Sequence, residues 1–327
     1  MKTRNGRRME GWKGGGMEAW RSGCVKWLMV MAICGSALAV TGNLTAEAQR
    51  TQSQSETVAD VNTVVNQDGH RMMRERRDAL QQLHGRKLEE ADAAAVRDYL
   101  LTPGPDDGWE FAFRDVVLTE LEQQRGSSEM VVLLEQMHED KAQHLVMRDF
   151  SLQHLPKAYV KGTPQDQQRI KALLQKALKE TDNQHAGTAL LALHRIATRS
   201  LREAGLTTAV AGSNLEPTAE EMAERIKVAE TAFALAGDAK ISPLTRATAL
   251  QVCSRLGAKE ALPLAVELAQ NSSTIPLRIA AIAAVGDLGG KSQQALLQQL
   301  AGGPEPRLKL AAEAAMKRMQ SNEGKAR

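Results

Sequence analysis

Aromatic residues are scarce in this chain, at 3% of 327 residues, with two Tyr, four Phe and four Trp. Strands draw on β-branched and aromatic side chains, so this scarcity disfavours a β-sandwich or barrel. Cysteine is nearly missing. Of the three, Cys24 and Cys34 fall in an N-terminal leader, and Cys253 alone lies in the body, which can therefore form no intrachain disulfide. There is no large excess of one charge either, with 42 Lys and Arg against 39 Asp and Glu. What the chain does have is a 43% apolar fraction, too high for disorder to be the whole answer. It is also rich in Ala, Leu, Gln, Glu, Lys and Arg, the residues that favour helix. The composition points to an all-α protein.

The leader has its own grammar. Seven basic residues (Lys2, Arg4, Arg7, Arg8, Lys13, Arg21, Lys26) precede an apolar run from Trp27 to Val40. That run would span about 21 Å as a helix, short of the roughly 30 Å hydrocarbon core of a bilayer. Ala46 and Ala48 then give the small-x-small pattern of a signal-peptidase site before Gln49. Residues 1–48 read as a secretory signal peptide, placing the mature protein in the periplasm or outside the cell. The alternative is an uncleaved N-terminal membrane anchor. A lipoprotein is disfavoured because Ile33, not a small residue, precedes Cys34. Cleavage would leave 35 basic against 36 acidic residues, a formal net of −1. Nothing in that balance supplies the basic face a nucleic-acid binder needs. The only membrane link expected is the export signal.

Residues 49–66 are polar and lack helical periodicity, as in a flexible linker. Two helical segments, about 70–84 and 88–101, form an expected N-terminal hairpin within 67–108, closed by the breaker Thr102-Pro103-Gly104-Pro105-Asp106-Asp107-Gly108. A repeat array is expected over 109–320 and a polar tail over 321–327.

The array shows in self-comparison. Arg114-Asp115-Val116-Val117-Leu118 returns 34 residues on as Arg148-Asp149-Phe150-Ser151-Leu152. Arg246 and Leu256-Gly257 return 32 residues on as Arg278 and Leu288-Gly289, and Lys309 follows after another 31. A copy without a basic anchor fits at Thr188-Ala189-Leu190, shifted by 60 from Thr248-Ala249-Leu250. Counted from the anchor, the third residue is small or β-branched (Val117, Ser151, Ala189, Ala249, Ala281, Ala312). The fourth is Leu or Ile in five copies, and the seventh is apolar throughout. Spacings of three, four and seven form one helical stripe. That stripe is expected to bury against the second helix of its own unit. Pro243, Pro276 and Pro306 suit first turns, and Gly257 and Gly289 suit left-handed helix stops. Glu313, at the fourth position of the last copy, reads as an outer face with no following neighbour. The spacing of 60 leaves a long insertion, 203–217, read as a tolerated surface loop, with a partner-contact loop as the alternative.

Proline near the start, Leu-Arg, Ala-Ala and a closing Leu-Gly resemble HEAT repeats, particularly the short HEAT-like repeats named after phycobilisome lyases. The best segment is Pro276-Leu277-Arg278-Ile279-Ala280-Ala281 through Leu288-Gly289, with clear resemblance over 242–319 and weaker copies back to 109. Armadillo and tetratricopeptide arrays compete, the latter lacking its Trp, Gly and Tyr signature. The resemblance implies a right-handed α-solenoid, an armadillo-like αα-superhelix of HEAT-like hairpins. Such arrays offer a long concave surface to a protein partner.

Chemistry is harder to find. There is no G-x-S-x-G, no phosphate-binding glycine loop and no C-x-x-C, and no cofactor or metal is expected. His138-Glu139-Asp140 with His144 is the only local histidine cluster, and a spacing of six puts the rings on different helix faces, as solvent-exposed residues. His154 and His194 are expected to cap or pack, and Cys253 to act as a small buried hydrophobe. Arg114-Asp115 and Arg148-Asp149 resemble the charged ladder between neighbouring HEAT units. Trp109, Phe111 and Phe113 are expected as a first hydrophobic layer, with partner anchoring as the alternative. Glu220, Glu221 and Glu224, and Glu89, Glu90 and Asp92, read as solvated faces. The resulting expectation is an exported non-catalytic scaffold. The competing reading is a HEAT-like enzyme or chromophore-handling factor resembling the phycobilin lyases.

Overall fold

The computed structural model describes residues 61–66, 73–180, 185–203 and 217–325, all within one compact unit spanning 54–327. The expected signal peptide with Ala46, Ala48 and Gln49, and most of the 203–217 loop, lie outside the described residues. Thirteen helices are named here, in chain order: α1 Met73–Leu83, α2 Glu90–Leu101, α3 Gly108–Gln124, α4 Ser127–Glu139, α5 Leu145–Lys161, α6 Pro164–Ala177, α7 Ala186–Glu203, α8 Ala219–Gly237, α9 Pro243–Leu256, α10 Leu262–Asn271, α11 Ile275–Leu288, α12 Gln294–Ala301 and α13 Pro306–Lys325. No strand occurs among the described residues. The fold is an all-α solenoid.

The anchor-based stripe is the core. Val117, Ser151, Ala189, Ala249, Ala281 and Ala312 at the third position are all buried, as are Leu118, Leu152, Leu190, Leu250 and Ile282 at the fourth. At the seventh, Leu121, Leu155, Leu193, Cys253 and Val285 are buried. Only the last copy loosens, with Glu313 and Met316 half-buried. Small third-position side chains let the helices bearing the anchors, α3, α5, α7, α9, α11 and α13, stack side by side.

The pairing differs from expectation by one helix. Most anchor helices pack on the helix before them rather than on the one after, as α4 with α5, α8 with α9, α10 with α11 and α12 with α13, while α9, α11 and α13 pack at least as closely on one another. A repeat period fixes the length of a unit but not where the hairpin is cut. The short connections 140–144, 238–242 and 272–274 join these pairs. The expected N-terminal hairpin is likewise divided, because α2 pairs forward with α3 and α4.

The ends of the helices explain several sequence choices. Ser242 caps α9 and Pro243 opens it, while Gly257 closes it at φ +69°, a left-handed conformation that glycine adopts without strain. Gly289 departs from expectation. Its φ is −80°, and what requires glycine is space, since a Cβ there would strike the Val285 carbonyl. Thr218 and Glu221 form a reciprocal capping box at the start of α8. Two boundaries also move. The expected linker ends in a helical turn over 61–65 with Val61 and Val64 buried, and α13 runs through 321–325 of the expected tail. Among the described residues, no helix is long and apolar enough to cross a membrane.

Candidate interaction surface

The repeated Arg-Asp pairs are spent on joining helices. Arg148 Nε donates to the His138 carbonyl at 2.7 Å, Arg246 Nε to Ala236 at 2.8 Å and Arg278 Nε to Ala269 at 3.1 Å. Arg114 Nη1 donates to the Thr102 carbonyl at 2.7 Å. Each acceptor ends the helix preceding the anchor helix, where carbonyls lack intrahelical partners and the helix dipole is negative. One cation thus closes each of these four hairpins. The aspartates reach the other way: Asp115 Oδ1 lies 3.0 Å from His154 Nε2 on α5, and Asp149 Oδ1 lies 3.6 Å from His185 Nδ1 at the entry to α7.

His154 sits between two anchor helices with Glu122 3.1 Å from its Nδ1, and Lys157 Nζ donates to the same carboxylate at 3.0 Å. Burial opposes charge on His154, but Asp115 and Glu122 outweigh it and hold the imidazole above its ordinary value. Burial likewise raises Glu122, and His154 and Lys157 reverse that to leave it low. At the equivalent position of α11 stands Gly286, where an added Cβ would lie 2.6 Å from Ala315 Cβ. One register position therefore carries an ion pair near one end of the array and bare backbone at the other.

His138 is not solvent-exposed, as expected from the sequence, but 1% exposed. Its ring meets that of His185 edge-on at 5.3 Å, and its Nε2 lies 3.2 Å from Glu180 Oε1. Glu180 also accepts from Arg148 and Lys141. Burial lowers the His138 pKa, and the nearby Arg148 carbonyl and Glu180 only partly oppose it. His144 caps α5, accepting from Val146 N, and stacks on Phe111 at 4.4 Å. Phe111 and Phe113 form the expected layer, whereas Trp109 leaves it and is 75% exposed. Cys253 is buried, with its thiol pushed up to about 12, chiefly by desolvation.

Periodicity reading missed a buried network at the start of the array. Arg76 donates to Glu110 Oε2 at 2.7 Å, to the Tyr99 hydroxyl at 2.7 Å and to the Val64 carbonyl at 2.9 Å. Tyr99 OH and Arg114 Nε both donate to Glu110 Oε1. Burial would raise Glu110, but Arg76 and Tyr99 hold it below the ordinary carboxylate range. The available signal was register: Arg76 falls on the stripe of Ala79, Leu80 and Leu83, and Glu110 on that of Phe113 and Val117. The acidic clusters are also less solvated than expected. Asp92 is buried, Glu90 pairs with Arg97 and Arg125, and Glu224 pairs with Lys171.

No three His, Cys, Asp or Glu side chains among the described residues are placed to hold a metal ion. What faces outward is the arc of the anchor helices opposite their buried stripe. Five residues after the anchor it carries Thr119, Gln153, Leu191, Gln251, Ala283 and Ala314, none charged and each half-buried or exposed. Val116, Val160, Leu244 and Leu310 are exposed on the same arc.

Comparison with known proteins follows this architecture. Human deoxyhypusine hydroxylase in complex with glycerol is 17% identical over 84% of this chain and 100% of that one, with a TM-score of 0.38. An engineered protein is 14% identical over 80% of this chain and 97% of that one, with a TM-score of 0.37. No curated protein matches the sequence. The family model for HEAT repeats matches residues 234–317, which contain α9 to α12 and the two most regular copies. HEAT repeats are recognised in this chain over that segment, residues 234–317.

Proposed function

We propose that the protein is an exported, non-catalytic scaffold that binds a protein partner along the outward arc of its anchor helices. The observation that carries this reading is how the polar side chains are used. Arg114, Arg148, Arg246 and Arg278 close hairpins, and Asp115, Glu122 and His154 join neighbours. The uncharged row five residues after each anchor, from Thr119 to Ala314, takes no part in these hairpin closures and ion pairs. A row of small and neutral residues suits an extended or helical segment held by many modest contacts. The leader supports a site of action beyond the cytoplasm.

Capture from an envelope fraction with the full chain as bait tests the scaffold. A single protein recovered in near-equal amount is the expected result, and small-molecule turnover with no partner would reverse the reading. Export is tested by N-terminal sequencing of the secreted protein, expected to begin at Gln49. An intact Met1 in the membrane fraction would replace export with anchoring.

A further inference from the structure

We propose that the outward face of α8 is where two copies of this chain meet, with the two α8 helices antiparallel about a twofold axis. The inference goes beyond the scaffold reading, which concerns the anchor helices, and does not depend on it.

α8 packs on α7 and α9, and on its inner side Val228, Ala229, Ala232 and Ala236 are buried. Its other side is apolar as well. Met222, Ile226 and Phe233 are 45%, 52% and 38% exposed, and at spacings of four and seven residues they form one stripe along the helix. Ala219, Ala223 and Ala234 are exposed beside it. Phe111, Phe113 and Phe150 are buried, so Phe233 is the chain's one exposed phenylalanine. Neighbouring outer helices differ, since α6 turns Gln168, Gln175 and Lys176 to solvent and α12 turns Gln298 and Gln299. An apolar face of this kind on a surface helix marks a contact with protein or membrane.

Charge selects a second copy as the occupant. Lys227 and Glu230 border the stripe on the same side, both exposed, and neither forms an ion pair with any described residue. A twofold contact needs a self-complementary patch, in which residue i of one copy meets residue j of the other and j meets i. In an antiparallel helix pair about such an axis, residues equidistant from the crossing point face each other. The midpoint of Met222 and Phe233 falls within one residue of the midpoint of Lys227 and Glu230. One crossing point therefore sets Met222 against Phe233 of the second copy and Lys227 against Glu230 of the second copy, and each pairing occurs twice.

A lipid surface fits less well. Helices that lie on a membrane carry a basic polar face, whereas on α8 Glu220, Glu221, Glu224 and Glu230 outnumber Arg225 and Lys227. The exposed alanines beside the stripe suit the close approach of a second helix. A contact built on one pair of helices is at the small end of specific interfaces, so the dimer should be reversible.

The test is sedimentation velocity of the full chain from about 1 to about 100 μM, the range in which a small interface dissociates. Wild type is expected to pass from monomer to dimer across that range. Ile226→Glu should weaken the dimer at least tenfold, as should Lys227→Glu and Glu230→Lys, each of which sets like charges against each other. An equal mixture of the two charge variants should dimerise within threefold of wild type, because each copy then meets its opposite. Circular dichroism verifies folding, and the milder Ile226→Gln serves if Ile226→Glu unfolds the chain. A wild type that stays monomeric throughout, with or without binding to phosphatidylglycerol vesicles, would overturn the proposal, as would an undiminished dimer in Ile226→Glu or no recovery in the mixture. The scaffold reading fails separately, in the capture experiment, which looks for a protein other than this chain.

Discussion

Glu110 holds two buried guanidinium groups at once, so its removal should cost more than the loss of one hydrogen bond. Arg76 and Arg114 would be left as uncompensated buried cations, and breaking a buried pair in this way costs about 3 to 5 kcal/mol. Chemical denaturation of Glu110→Ala is expected to show a loss in that range, and a loss below about 1 kcal/mol would mean the network is hydrated. His154 makes a prediction about pH. Its folded pKa is raised, so the stability from its carboxylate partners is full below about pH 6.5 and is lost as pH rises through the folded value. Glu122 runs oppositely, with its share present above about pH 4.5 and lost as pH falls through its lowered value. The Tm difference between wild type and His154→Gln should therefore shrink from about pH 6 to about pH 9, and a constant difference would show the ring acts only by packing. These residues were poorly legible in the sequence. Arg76 and Glu110 are 34 residues apart, and His138 is buried by Glu180 and His185, which periodicity within one helix cannot place.

Helices, by contrast, could be read closely. The stripe at three, four and seven residues from the anchor is buried as expected because burial of one helical face is a local pattern. Leu250→Ala should cost about 2 to 5 kcal/mol by thermal or denaturant unfolding, and a loss under 0.5 would mean the stripe is misassigned. What the pattern could not give was the partner of each stripe, since the same spacing fits a hairpin cut on either side of the anchor. The arginine bonds to Ala236 and Ala269 decide it. Close approach is the complementary case. A methyl group at Gly286 would meet Ala315 at 2.6 Å, including its backbone, so Gly286→Ala should destabilise by about 1 to 3 kcal/mol through overpacking. Gly126→Ala, where nothing lies within 4 Å, is the matched control and should stay close to wild type. Equal effects at both sites would show that α11 and α13 can move apart freely.

Across the whole molecule, the joints between units change character along the chain. Near α3 and α5 neighbours are joined by a buried ion pair, Glu122 with His154, and near α11 and α13 by the close contact of Gly286 with Ala315 beside a partly exposed pair of Arg318 with Asp287. Raising the pH through the titration of His154 should therefore loosen the first joint and leave the contact of Gly286 with Ala315 unchanged. The regular copies are also those the HEAT family model matches, at 234–317, while the earlier units keep the geometry with a more polar vocabulary. All of them present an uncharged residue five after the anchor, from Thr119 to Ala314, and this outward row is the proposed protein-binding surface. The most direct measurement is capture from the envelope fraction with wild type beside a variant carrying Val116→Glu, Gln251→Glu and Leu310→Glu, each an exposed residue of the arc. One partner should be held by wild type and lost from the variant at unchanged helix content. Equal recovery by both, or turnover of a small molecule with no protein bound by either, would contradict it.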